Sequence, residues 1–167
     1  HSDVEMLQRA LHSLAEWASL WQLKIAINKC FVLNIGNISE SIASSGVHYC
    51  INNCVLPVTV VESCRDLGVS VSRNLSPREH INVIVLRAQQ RASMILKCFI
   101  SKDINVLLRS YFTYVRPILE YNSVVWSPVL KCEIDALERV QRRFTKRLRG
   151  MDSLSYTDRL AKLTNYT

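Results

Sequence analysis

Six cations crowd the stretch from Arg139 to Arg149: Arg139, Arg142, Arg143, Lys146, Arg147 and Arg149, with no acidic residue among them. Like charges spaced by one helical turn repel on a free surface. A polyanion relieves that repulsion, because each neutralised phosphate releases condensed counterions whatever the base sequence. The chemistry indicated is phosphate binding, with a membrane surface or an acidic protein as the other anionic partners that fit a basic helix. The whole chain shares the bias. Of 21 Lys/Arg and 14 Asp/Glu, residues 1–74 hold only five and six, so residues 75–167 carry the entire net charge of +7 and one unit more. Such an asymmetry fits the electrostatic footprint of a nucleic-acid binder, and composition alone fits a solvated basic surface as well. Arg87 and Arg91, one turn apart, extend the set of candidate phosphate contacts.

The six cysteines offer a second chemistry. His48, Cys50, Cys54 and Cys64 lie close enough in sequence for soft-ligand metal binding, but the chain has no CxxC pair of the kind that holds structural zinc across a turn. The other reading is three small apolar residues and one histidine on a hairpin, with all six thiols reduced. No metal ligand set is assigned. No run of ~18 apolar residues is present and the N-terminus lacks the order of a signal peptide, so the expectation is a nuclear or cytoplasmic protein without a membrane partner.

The elements that must position these residues fall into two kinds. Ser2 and Asp3 offer capping oxygens to a helix whose apolar stripe is Val4, Leu7, Leu11, Leu14, Ala18 and Trp21. Alternation over Leu23–Ile27 and the run Cys30–Leu33 predict a strand broken at Asn28-Lys29. Gly36 and the Ser-rich stretch 39–46 predict a loop. A hairpin is expected from His48–Ile51, Asn52-Asn53 and Cys54–Leu56. Val58–Val61 and Asp66–Ser72 are β-rich, the latter with Gly68 where another backbone can approach closely.

Beyond Pro77 the period becomes helical. Ile81, Ile84, Val85, Ala88, Ala92, Ile95, Leu96 and Phe99 share one face. Ser101 and Asp103 can cap a helix striped by Ile104, Leu107, Leu108, Tyr111, Val115 and Ile118, which Pro117 should break near Val115 or Arg116. After a break at Pro128, a helix over 131–149 sets Ile134, Leu137, Val140, Phe144 and Leu148 opposite Arg139, Arg142, Arg143, Lys146 and Arg149. A short helix over 156–163 follows. The three tryptophans, Trp17, Trp21 and Trp126, sit on apolar stripes and are expected in the core rather than as base-stacking platforms. The fold class is α+β, with domains at 1–76 and 77–167.

Several of these segments, in this order, resemble the reverse transcriptases of non-LTR, LINE-type retrotransposons of the jockey or chicken-repeat kind. Leu7-Gln8 through Trp17 and Trp21 resembles the palm helix that follows the catalytic aspartates. Leu23–Leu33, with Asn28-Lys29-Cys30, resembles the fourth polymerase motif, and Cys64-Arg65-Asp66-Leu67-Gly68-Val69 the primer grip. Val115-Arg116-Pro117-Ile118-Leu119-Glu120-Tyr121, Val125-Trp126-Ser127-Pro128 and Leu137–Thr145 resemble the region after the palm. The resemblance implies a small β-hairpin or sheet remnant of a palm packed with an amphipathic helix, then an all-α thumb-like unit.

It further implies that the parent protein is an RNA-directed DNA polymerase using dNTPs and Mg2+, and that this chain holds the RNA template and DNA primer. Asp66, Leu67, Gly68 and Val69 would press on the primer terminus, and Lys29 would serve as a cation or general acid near the leaving pyrophosphate. The departure from the family is in the carboxylates: Asp3, Asp66, Asp103, Asp135, Asp152 and Asp158 include no adjacent pair to hold two metals. The catalytic box is expected upstream of His1, so the chain alone is expected to be inactive, with no cofactor of its own. A non-catalytic basic nucleic-acid-binding module and a helical protein-interaction domain remain the alternatives.

Overall fold

The computed structural model describes residues 2–36, 49–51, 54–55 and 61–164, with the backbone alone described at 2, 3, 54 and 55. The chain is α+β and divides into two compact units, one of residues 1–66 with 71–76, the other of residues 67–70 with 77–167.

In the first unit, helix α1 (Ser2–Leu20) packs on β1 (Cys50–Ile51), which pairs antiparallel with β2 (Cys54–Val55) in the register Cys50↔Val55 and Ile51↔Cys54. That register is the expected two-residue hairpin at Asn52-Asn53; His48 and Leu56 lie outside the described residues. The face that α1 buries differs from the expected stripe. Ala15 and Ala18 are buried and Val4, Gln8 and Leu11 half-buried, whereas Leu7, Leu14, Trp17 and Trp21 are exposed. The cause is Gln8, whose side chain donates to Cys50 O at 2.8 Å and accepts from Cys50 N at 2.9 Å. This two-point bond turns the Gln8 face toward the hairpin, and the bulkier neighbours half a turn away point outward. The expected core position of Trp17 and Trp21 is thereby corrected: they are 52% and 64% exposed, and only Trp126, at 4%, is core. Ser2 lies within α1 rather than ahead of it.

The expected strand over Leu23–Leu33 does not form. A short 3-10 turn, Ile27–Lys29, occupies the predicted break, and the flanking segments pair with no strand among the described residues. Ile25, Ile27 and Cys30 instead pack against Ala15 and Ile51. Their apolar surface is buried on a helix, so no sheet partner is needed to hide it. The loop expected at 39–46 and the segment 58–60 lie outside the described residues.

Strands β3 (Ser63–Asp66) and β4 (Val69–Ser72) form a second two-stranded sheet. The β-rich segment expected over Asp66–Ser72 is thus a hairpin turn and its outgoing strand.

The second unit is helical, with α2 (Arg78–Cys98), α3 (Ile104–Tyr114), α4 (Arg116–Glu120), α5 (Ser123–Trp126), α6 (Lys131–Lys146) and α7 (Tyr156–Thr164). Its core follows the predicted stripes closely. Ala88, Ala92 and Ile95 of α2 meet Leu107, Leu108 and Tyr111 of α3, and Val140 and Phe144 of α6. Asp103 caps α3, its Oδ1 accepting from Asn105 N at 2.8 Å. Pro117 opens a separate helix after Val115, since proline fits a first turn but not a helix interior. Helix α6 stops at Lys146, three residues short of the expected end, and Arg149 lies beyond it. Ile134 is exposed, and Glu133 takes the buried place beside it, accepting from Leu130 N at 3.3 Å.

Candidate nucleic-acid interface

Helix α6 is fixed on the core by Val140 and Phe144, with Leu148 just beyond its end, and this orientation decides what its cations can reach. Arg139, Arg142, Arg143, Lys146 and Arg149 are all exposed. At 100° per residue, Arg139, Arg143 and Lys146 form a single stripe at i, i+4 and i+7 along one flank of the buried face. The opposite flank, Gln141 and Thr145, is turned inward and lines a pocket with Leu160 and Leu163 of α7.

The five cations are not equivalent. Arg142 is engaged on both sides: its guanidinium donates to Glu138 at 3.0 Å and lies 4.9 Å from the centre of the Tyr156 ring. Burial, and then the Glu138 charge, raise the Tyr156 phenol above its ordinary value against the opposing pull of Arg142 and Arg159. Arg143 touches Gln89 of α2 through a long 3.5 Å contact. No ion pair joins Arg139, Lys146 or Arg149 to a carboxylate among the described residues. Of the expected set, the stripe Arg139–Arg143–Lys146 is therefore the one most free to meet phosphate. Arg87 and Arg91 are exposed on α2, but helical spacing puts them on the flank opposite Gln89, away from the edge that Arg143 meets.

The turn between β3 and β4 is the second feature. Leu67 has φ of 45° and Gly68 φ of 89°, the pair of positive angles that a two-residue type I′ hairpin turn demands. Gly68 is required by that angle itself. A Cβ there would stand 3.4 Å from Tyr121 Cε1, so the group that approaches Gly68 closely is an aromatic side chain rather than the backbone expected from sequence. Leu67 is a poor residue for a left-handed position, and it projects 81% exposed. Val69 is buried, and Asp66 is exposed.

Side chains from α2 and from the α4–α5 segment hold this turn. The Tyr121 hydroxyl donates to Leu67 O at 3.1 Å, and Ser70 N donates to His80 Nδ1 at 3.2 Å. The His80 ring, 3% exposed, lies 5.3 Å from that of Trp126, whose Nε1 donates to Tyr121 O at 2.8 Å. Sequence reasoning had placed Gly68, Tyr121 and Trp126 in separate motifs, and it missed His80 altogether. The only sequence signal for His80 was its place next to Ile81 on the buried face of α2.

Lys29 sits exposed on the 3-10 turn of the first unit. The described residues do not fit a two-metal centre. No group of three or more His, Cys, Asp or Glu comes together among them, and Asp103 and Asp158 are used at helix N-termini, Asp158 through Ser155. Cys50 and Cys64 are free thiols; His48 and the Cys54 side chain lie outside the description. No helix among the described residues is long and apolar enough to cross a membrane.

Comparison with known proteins adds one relative. An uncharacterized protein of Caenorhabditis elegans is 27% identical over 108 residues, covering 63% of this chain. The chain spans about half of that protein, 54% of its length. No family model matches the chain, and no solved structure matches it.

Proposed function

We propose that this chain is the primer-template-holding part of a LINE-type retrotransposon reverse transcriptase, a palm end joined to a thumb-like helical unit. The observation that carries the reading is the cation stripe of α6. Arg139, Arg143 and Lys146 stand exposed on a helix whose other side is locked into the core. Such a stripe attracts a nucleic-acid backbone, and contacts to phosphate position a duplex without specifying bases. RNA template and DNA primer are the partners this reading names, with dNTPs and Mg2+ belonging to the parent enzyme.

Two further observations support it. The segments that resemble the primer grip and the region after the palm meet in one place, at the Leu67 carbonyl and the Tyr121 hydroxyl. The exposed apolar flank of α1, with Leu7, Leu14 and Trp17, suits a palm helix that packs on further polymerase structure in a longer protein. Because the described residues gather no metal-holding carboxylates, no catalytic step is assigned to this chain.

The test is binding of a labelled DNA primer annealed to an RNA template, measured over a range of salt concentrations. Affinity that falls steeply with salt and is similar for unrelated sequences is the expected result. Absence of binding at low salt, or a preference for an acidic polypeptide over the hybrid, would overturn the assignment.

A further inference from the structure

We propose that Tyr121 is a positioning residue that holds the Leu67–Gly68 turn in its presented conformation, with Trp126 and His80 fixing the two ends of that hold. The functional half of this inference rests on reading the turn as a primer contact; the positional half does not.

The turn by itself is poorly specified. Type I′ turns favour Asn-Gly or Gly-Gly because both central residues take positive φ, and here the first is leucine at 45°. A leucine side chain gains nothing locally that offsets the left-handed backbone, since it points into solvent. Something outside the turn must therefore hold it. The Tyr121 hydroxyl supplies a donor to the Leu67 carbonyl, and its ring edge lies 3.4 Å from where a Gly68 Cβ would stand, so the ring packs against that side of the turn.

Tyr121 is itself held. Its carbonyl takes the Trp126 indole N–H at 2.8 Å, and the next residue, Asn122, adopts a left-handed φ of 54° that starts α5 and brings Trp126 back beneath it. Trp126 packs on His80, and His80 accepts from Ser70 N at the outgoing side of the same turn. The hold is thus a closed chain of contacts: Leu67 to Tyr121, Tyr121 to Trp126, Trp126 to His80, His80 to Ser70. Its outermost link is weak, because Tyr121 is 58% exposed and water competes for both partners of the hydroxyl bond. A weak outer link on a buried base lets the turn open without unpacking the core, and makes Tyr121 the residue that sets how often it does.

The experiment uses the full chain with Tyr121→Phe, Leu67→Asn and the double variant. Tyr121→Phe removes the hydroxyl and keeps the ring. Amide exchange over residues 66–72 should quicken about two- to tenfold, the range for one exposed hydrogen bond, while amides of α2 and α6 keep their wild-type rates. Affinity for a fluorescein-labelled DNA primer recessed on an RNA template should fall by a similar factor, with the salt slope unchanged because no charge is lost.

Leu67→Asn gives the turn a residue that tolerates positive φ, so in its background Tyr121→Phe should cost little in either readout. Unchanged exchange over 66–72 in Tyr121→Phe would overturn the positional role. An equal loss of affinity in both backgrounds would show that Tyr121 meets the nucleic acid directly and would overturn the inference. Faster exchange with unaltered affinity would remove its functional half. If the wild-type chain does not bind the hybrid, the functional reading fails, and the exchange arm alone decides the positional claim.

Discussion

Replacing Arg139, Arg143 and Lys146 together by glutamine removes the free stripe of α6 and leaves the length and helix propensity of the side chains nearly unchanged. From Arg139 to Lys146 the helix rises about 10 Å at ~1.5 Å per residue. Over that distance one strand of a duplex advances about three phosphates at ~3.4 Å each, so three cations match three phosphates. Each neutralised phosphate contributes roughly 0.7–0.9 to the slope of log affinity against log salt, so the slope should shrink by about two to three. Between about 50 and about 200 mM salt the wild-type chain should then lose roughly 20- to 40-fold more affinity than the variant. The fold should survive. Arg143 and Lys146 lie in the last turn, where each stabilises the helix dipole by about 0.3–1 kcal/mol. Relief of repulsion between Arg139 and Arg143 returns about 0.2–0.5 kcal/mol, leaving a net cost below about 2 kcal/mol. Fluorescence anisotropy with two RNA–DNA hybrids of unrelated sequence, beside a denaturant melt, measures both quantities. Arg142→Gln alone should change the slope less, since Glu138 already pairs with it. A triple variant that keeps the wild-type affinity and slope would show the stripe to be a solvated surface, and the reasoning from its exposure to phosphate binding would be wrong.

The chain alone should not extend a primer with magnesium or manganese, because its described residues gather no carboxylates to hold the metals; incorporation that survives repurification would contradict this. Asp103→Ala should destabilise the helical unit by about 1 kcal/mol through loss of the bond from Asn105 N, and Asp103→Asn by much less, as read from denaturant midpoints. Stability should decline in alkali: Tyr111 is pushed far above the ordinary tyrosine value by burial first, then by Tyr156, against Arg116, and Tyr156 is raised as well. The unfolded chain ionises its tyrosines near pH ~10 before the folded chain does, so this stability is full below about pH 10 and is lost as pH rises through the folded values. Tm should fall above that point and Tyr111→Phe should flatten the fall; a wild-type Tm that stays level would contradict the burial of Tyr111.

The helical unit was largely legible in the sequence because its stripes are built from Ile, Leu, Ala and Phe at steps of three and four; polar anchors alter it locally, as where Glu133 is buried and Ile134 exposed. Helix α1 carries the same periodicity, yet its buried face was misjudged. The deciding interaction there is the two-point bond between Gln8 and the Cys50 backbone, which no apolar pattern reports. The segment from Leu23 to Leu33 shows why alternation alone does not make a strand: Ile25, Ile27 and Cys30 pack against Ala15 and Ile51, and its backbone pairs with no strand among the described residues. The cations of α6 were legible as a set, but their inequality was not, because Glu138 and Tyr156 approach Arg142 and not its neighbours. The link between Leu67 and Tyr121 spans 54 residues and has no local signature at either end.

The two halves of the candidate interface differ in the physics on which they rest. As a nucleic-acid contact the α6 stripe would act through charge, which reaches about 8–10 Å in physiological salt and tolerates small displacements of the ligand. Its support lies in the core of the unit, since Phe144 and Val140 are almost fully buried. The turn would act by shape over a single residue or two, where a displacement of an ångström matters, and at Leu67 its support is one exposed hydroxyl. On the proposed reading, affinity would belong to the rigid element and register to the soft one. That division suits a surface that must keep hold of a duplex while the duplex advances. On the proposed reading, a stripe that meets phosphates alone would keep the same energy at each step, and a turn that opens on Tyr121 would release one nucleotide and seat the next.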